Sequence, residues 1–514
     1  MAVGKGLTIK DVDLVFISAF DLGAKVNPRK LGEEFANEYP MVKARWHPPE
    51  KPRFTLHPLF LNHALFLNMI NSDIKVLDPL FLELSRYARF RLAEHEAEVV
   101  NPDIGKIVKK FKIEPYLLIH SAGIGVITAW INLKGSFTTD DIITFKNRLH
   151  EIELNIKDAF GNQYKSVTLA VFIDLSIAAP LRRIAKGWKE LRDAIITSHV
   201  IVGVKEVKCG DRCFTAGDIL KRHAKEVVGI LTGAEDWRDF RSEATKENLG
   251  KNLSYFEHYA MYLTIGASLF LSSPKLNKEI KLKVSKSPWG KDTEFRRFML
   301  LLVIPMEFLM LSYKILDVYD SSYRKKRENL QERKKRGEVV NPSEYIELRS
   351  ELTEALEEYK NVAFFKADPL RSILEYGKEV YRLREYEGVL RSALEELAEL
   401  ARTHYEESIS NAQLTLAANQ LELAKRQNEM TFVFGIFGIV SAIEIVATLF
   451  GLQGVIYAVP VALMIAYLLY RRYMSSSSRK SRTPQQKSRR EQKNTDANSV
   501  TQRRELKSEE RPQL

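Results

Sequence analysis

Between residues 431 and 470 the chain carries a single charged side chain, Glu444. In a helix that advances about 100° per residue, Ser441 and Thr448 fall on the same side as Glu444. Three oxygen-bearing side chains then form a strip along an otherwise apolar rod. Two kinds of chemistry suit such a strip. A protonated Glu444 can hydrogen-bond to a neighbouring helix, or carboxylates from several copies can ring a water-filled cation path. Glu444 is thus the candidate metal-contacting residue, with Ser441 and Thr448 supplying further oxygens, and Gln453 a few residues on offers an amide at the end of the run.

The elements that must position these groups are two apolar stretches, residues 431–450 and 454–470, of twenty and seventeen residues. A helix needs about 20 residues to cross a bilayer. Only Gly451, Leu452 and Gln453 separate the stretches, with Gly454 completing the turn at the start of the second, so the two predicted spans are antiparallel neighbours. Lys425 and Arg426 precede the first, Arg471 and Arg472 follow the second, and the loop has no basic residue. That pattern places both termini on the cytoplasmic side of a multi-pass protein of the cell membrane. On the first span, Gly435, Gly438 and Ala442 lie near one face and permit close helix contact.

Upstream, the spacing of apolar residues from Ile373 to Leu416 predicts one long helix starting at Asp368-Pro369 and continuing to Met430, with no further proline inside it. Such a stalk needs a partner for its stripe, either the 298–360 helices folded beside it or identical rods from other subunits in a coiled-coil-like bundle. Residues 298–316, FMLLLVIPMEFLMLSYKIL, approach the length of a membrane span but contain Pro305, Glu307 and Lys314. They read as a buried helix of the soluble part. A further helix begins near Ser343, read as its N-cap, with Glu344 in the first turn. The run Arg324 to Arg336 reads as the solvated tip of a helical arm.

Residues 1–295 alternate β-rich and helical runs, which argues for an α+β domain. Residues 116–133 read as two paired strands broken at Gly123 and Gly125, followed by a helix with a Thr/Asp start. SVTLAVFIDLSI, residues 166–177, reads as a strand. HVIVGVKEVKCGDRCFTAGDIL reads as a hairpin turning at Gly210 and Asp211, and YFEHYAMYLTIGASLFLSS as another strand pair. The start of the chain shows no basic segment leading into an apolar core, so this domain is expected to stay on the side where it is made. The predicted fold class is an α+β cytosolic domain (1–295), then a helical arm and long stalk helix (296–430), two C-terminal transmembrane helices (431–473) and a disordered basic tail (474–514).

Charge supports that order. The net charge is +12, but residues 471–514 hold thirteen Lys/Arg against five Asp/Glu, so most of the excess trails the hydrophobic hairpin. Anionic lipid headgroups are the expected partner of this tail, in preference to nucleic acid. The two cysteines, Cys209 and Cys213, exclude a disulfide framework or a four-cysteine zinc site and read as packing residues. His57 and His63 sit in a Pro-rich aromatic stretch and read as packed on the core. HSAGIGV lacks the strand-turn-helix setting of a dinucleotide site, and no phosphate-binding G-x-x-x-x-G-K-S/T is present. No constellation supports an enzyme or a bound cofactor.

The layout of residues 298–473, with His404 to Met430 leading into the first span, resembles the CorA-type divalent-cation transporter superfamily. The resemblance implies a homo-oligomer, a pentamer in that family, whose first span lines a pore for a divalent cation such as magnesium. The family's Gly-Met-Asn signature is replaced here by Gly451-Leu452-Gln453-Gly454, so Gln453 corresponds loosely to the family asparagine at the pore mouth. The competing reading is a non-conducting, membrane-anchored scaffold or sensor that acts through its cytosolic domain.

Overall fold

The computed structural model describes residues 7–38, 87–157, 163–185, 197–208, 213–284, 291–338, 340–362 and 369–480. The chain divides into two units, residues 1–401 and 402–514.

The first unit is built on one sheet. Its strands are β1 (Thr8–Asp21), β2 (Tyr87–Arg91), β3 (His95–Val99), β4 (Lys110–His120), β5 (Ile124–Thr138), β6 (Leu154–Lys157), β7 (Gln163–Val167), β8 (Thr197–Lys208), β9 (Tyr259–Thr264) and β10 (Ala267–Ser272), in the order β7-β6-β3-β4-β5-β1-β8-β10-β9, with β2 also on β4. Every pairing is antiparallel except β8 with β10. The central strand β1 is buried from Val12 to Phe20. Its near-continuous apolar run fits a strand covered on both faces.

The helices are α1 (Pro28–Glu38), α2 (Pro102–Ile107), α3 (Thr139–Arg148), α4 (Leu169–Ile173), α5 (Ala179–Ile184), α6 (Ala216–Thr232), α7 (Ser242–Leu249), α8 (Pro274–Val284), α9 (Lys291–Lys335), α10 (Pro342–Val362), α11 (Leu370–Val380) and α12 (Leu383–Lys480). One sheet face packs under α1, α3, α4 and α6, through Phe35, Phe145, Phe172 and Ile230. The other packs under α9, α10, α11 and the start of α12, through Met299, Leu309, Leu352 and Ile373. The predicted α+β class holds.

The strand pairs β4–β5 and β9–β10 form as expected, and so does α3. Thr138 caps α3 in a capping box with Asp141. Two local expectations fail. Residues 166–177 are mostly helical: after β7, Thr168 accepts the Val171 N–H as an N-cap, and α4 continues through a π-turn (Asp174–Ala178) into α5. Its buried residues Leu169, Phe172, Ile173, Ile177 and Leu181 recur at helical spacing. The strand ending at Lys208 is followed by a helix and not by a second strand, because Thr215 caps α6 in a capping box with Asp218. At α10 the cap is Asn341, which accepts the Ser343 N–H at 3.0 Å, with Pro342 at the first helical position. His57 and His63 lie outside the described residues.

Residues 298–316 belong to α9, whose apolar window is long enough to cross a membrane yet is buried in the first unit. Glu307 faces the sheet, where it accepts the Thr128 hydroxyl at 2.7 Å. The arm shares this core as far as Ala401, since Leu383, Leu390 and Leu397 of α12, spaced by sevens, are all fully buried. The helix foreseen from Asp368 onward is interrupted: α11 stops at Val380, and Arg382, at φ 52°, separates it from α12.

In the second unit α12 runs on to Gly451, whose φ of 63° and ψ of −161° break it into two limbs. A Cβ added at Gly435 would lie 3.6 Å from Leu469 Cδ1. The chain therefore doubles back at Gly451, as the four-residue loop requires. The first limb is long and apolar enough to cross a membrane, and residues Ile456–Arg471 form a shorter apolar helix. Helix continues to Lys480, and residues 481–514 lie outside the described part.

Candidate functional site

The first limb meets the second along one side. Its partly buried residues are Phe432, Gly435, Ile439, Ile443, Val446 and Ala447, which cluster on one face at about 100° per residue. Ser441, Glu444 and Thr448 are exposed, and the same rotation puts their mean direction about 160° from that face. The polar strip thus points away from the second limb. Thr448 donates its hydroxyl to the Glu444 carbonyl at 2.7 Å, the back-bond common for threonine in helices. The Glu444 carboxylate is left facing outward.

The small residues separate. Gly435 packs on Leu469, whereas a Cβ added at Gly438 would meet nothing within 4 Å, and Ala442 is exposed. The side chain of Gln453 lies outside the described residues. Among the described residues, no group of three His, Cys, Asp or Glu side chains is placed to hold a metal ion. One copy supplies one carboxylate, and a ring of them needs further copies.

Two polar assemblies in the first unit had no local signal in the sequence. Beneath the start of α9, Asp13 receives Lys205 Nζ at 3.1 Å and the Asn132 amide at 2.8 Å. Arg296 reaches Asp13 at 3.4 Å and Glu114 at 2.8 Å, with its guanidinium 5.2 Å from the centre of the Trp130 ring. Burial opposes the Arg296 charge, but Asp13 and Glu114 outweigh it and raise its pKa above the ordinary arginine value. The charges balance within the cluster, as a buried ionic group must.

The second assembly centres on His199, which is fully buried. Its Nδ1 lies 2.6 Å from Tyr381 Oη, and its Nε2 lies 2.6 Å from Ser268 Oγ. Tyr381 Oη also accepts the Gly266 N–H at 2.8 Å. Burial, and secondarily the nearby Lys146, lower the His199 pKa to about 3, so the ring is neutral. Lys146 itself donates to the Ile230 and Leu231 carbonyls at the end of α6, at 2.8 and 2.9 Å, and burial lowers it to about 8. The members of each assembly come from strands and helices far apart in the chain, which is why no motif announces them.

Cys213 is buried in the core, in line with the packing expectation, and Cys209 lies outside the described residues. The HSAGIGV segment is the β4–β5 turn. A Cβ at Gly123, at φ 80°, would come within 2.0 Å of the Ala24 carbonyl oxygen, so glycine serves the close backbone approach there.

Comparison with protein-family models, with curated proteins and with solved structures finds no match to this chain.

Proposed function

We propose that several copies of this chain assemble in a membrane around a shared axis and pass a cation along the first limb of the C-terminal hairpin. The observation that carries this reading is the direction of the Ser441, Glu444 and Thr448 strip, which is turned away from the second limb. A carboxylate inside a span is costly against lipid. Identical neighbours that close a ring on that side bring the carboxylates to a common water-filled path, with the second limbs outside. Oxygen ligands suit a hard divalent cation such as magnesium, which keeps its water and is recognised through it. The likeness in layout to the CorA-type transporters supports the same reading and suggests a pentamer, with Gln453 at the outer mouth. Basic residues at the outer ends of the hairpin fit cytoplasmic termini, and the basic tail fits anionic headgroups.

The test is cation flux in liposomes, with Glu444→Gln beside the wild type, together with the particle mass in detergent. Flux that falls at least tenfold in an assembly of several chains supports the proposal. A single-chain particle, or flux that ignores the substitution, leaves a membrane-anchored scaffold acting through its sheet domain.

A further inference from the structure

The bend between α11 and α12 is spanned locally by the partly exposed pair Arg384 and Glu375 at 3.0 Å, and it is also held by contacts far away in the chain. Arg382 takes a left-handed backbone, which is strained for a residue that carries a Cβ. Its own side chain offers little in return: it reaches Glu385 at 3.9 Å with both groups exposed. The residue before it is anchored instead. Tyr381 Oη accepts the Gly266 N–H, so its single proton goes to its other neighbour, His199 Nδ1. The imidazole proton then sits on Nε2 and is donated to Ser268 Oγ. One ordered chain of hydrogen bonds runs from the β9–β10 turn through Tyr381 and β8 to β10.

We infer that Tyr381 is a latch: its hydroxyl, clamped between His199 and Gly266, holds the α11–α12 bend in a strained form, and loss of the clamp lets the bend relax and the first turns of α12 shift. The strain at Arg382 is what the latch holds in check. Anything that moves β8 against the β9–β10 turn takes away the donor or the acceptor of Tyr381, so the state of that sheet edge is transmitted to the base of the longest helix. The packing of α11 sharpens this coupling. Gly377, one turn before Tyr381, approaches Leu309 so closely that a Cβ would lie 2.8 Å from Leu309 Cδ2, so α11 itself has no slack and movement concentrates at the bend. This device is independent of whether the C-terminal hairpin conducts.

The experiment is hydrogen–deuterium exchange by mass spectrometry on the full chain in detergent. It compares the wild type with Tyr381→Phe, with Arg382→Gly and with both together. Tyr381→Phe keeps the ring and removes the clamp. Exchange in peptides covering residues 381–386 is expected to rise about tenfold, the loss of roughly two net hydrogen bonds, with β1 and β5 peptides unchanged. Arg382→Gly removes the strain, so the double variant is expected to exchange at the bend close to the wild-type rate. Unchanged exchange in Tyr381→Phe would overturn the latch. So would an increase spread over β1 and β5, or a double variant as fast at the bend as Tyr381→Phe alone.

Discussion

Thr128 on β5 donates its hydroxyl to Glu307 on α9 across the sheet–helix interface, at 2.7 Å, and both side chains are buried. This pair shows why an apolar window of spanning length lies inside the first unit. Removing the donor takes one hydrogen bond from a buried carboxyl, so Thr128→Val is expected to lower stability by about 1–3 kcal/mol. Chemical unfolding followed by tryptophan fluorescence measures it.

The seven-residue spacing of Leu383, Leu390 and Leu397 separates two parts of one helix. Leu390 is fully buried, and Leu390→Ala is expected to cost about 2–5 kcal/mol in the same unfolding measurement. Leu416 is 59% exposed and touches no core. Leu416→Ala is expected to leave the unfolding of the first unit unchanged and, for the assembly proposed above, to shift the particle mass toward fewer chains, read by light scattering in detergent.

Neutral His199 sets a pH dependence. Its folded pKa, lowered to about 3 by burial and then by Lys146, lies below the ordinary value near 6.5. Between those values the unfolded chain binds the extra proton. This contribution to stability is complete above about pH 6.5 and is lost as pH falls toward 3, by at most ~1.4 kcal/mol per pH unit. The groups that face the ring are Tyr381, Ser268 and Lys146. Thermal midpoints of wild type and His199→Gln, measured from pH 7 to pH 4, are expected to converge as the pH drops.

At Gly451 the backbone sits at φ 63° and ψ −161°, a region essentially reserved for glycine. Gly451→Ala is expected to cost about 1–3 kcal/mol and to disturb the return of the second limb. Cysteines placed at positions 435 and 469 and joined by a short bis-maleimide report on it. The joined product is expected to fall in the Gly451→Ala background.

Much of this was legible from local pattern. The β4–β5 and β9–β10 hairpins, the Thr/Asp start of α3 and the turn at Gly451 each rest on residues adjacent in the chain. The errors fall where distant contacts overrule local preference. Residues 166–177 are rich in β-branched and aromatic side chains, yet the Thr168 cap and a buried face spaced for a helix prevail. The bend at Tyr381 has no glycine or proline to mark it, because its cause lies at His199 and Gly266. The polar strip was visible as a spacing, but its direction emerged only once Gly435 was seen against Leu469.

That contact also fixes depth. Position 452 is equidistant in sequence from Gly435 and Leu469, so Glu444, eight residues before it, stands level with Pro460, eight residues after it. Proline has no amide hydrogen to return to the carbonyl one turn back, that of Ile456. The one charged side chain of the hairpin and the backbone carbonyl that Pro460 cannot answer therefore fall in a single thin slice across the two limbs, at a common distance from the turn.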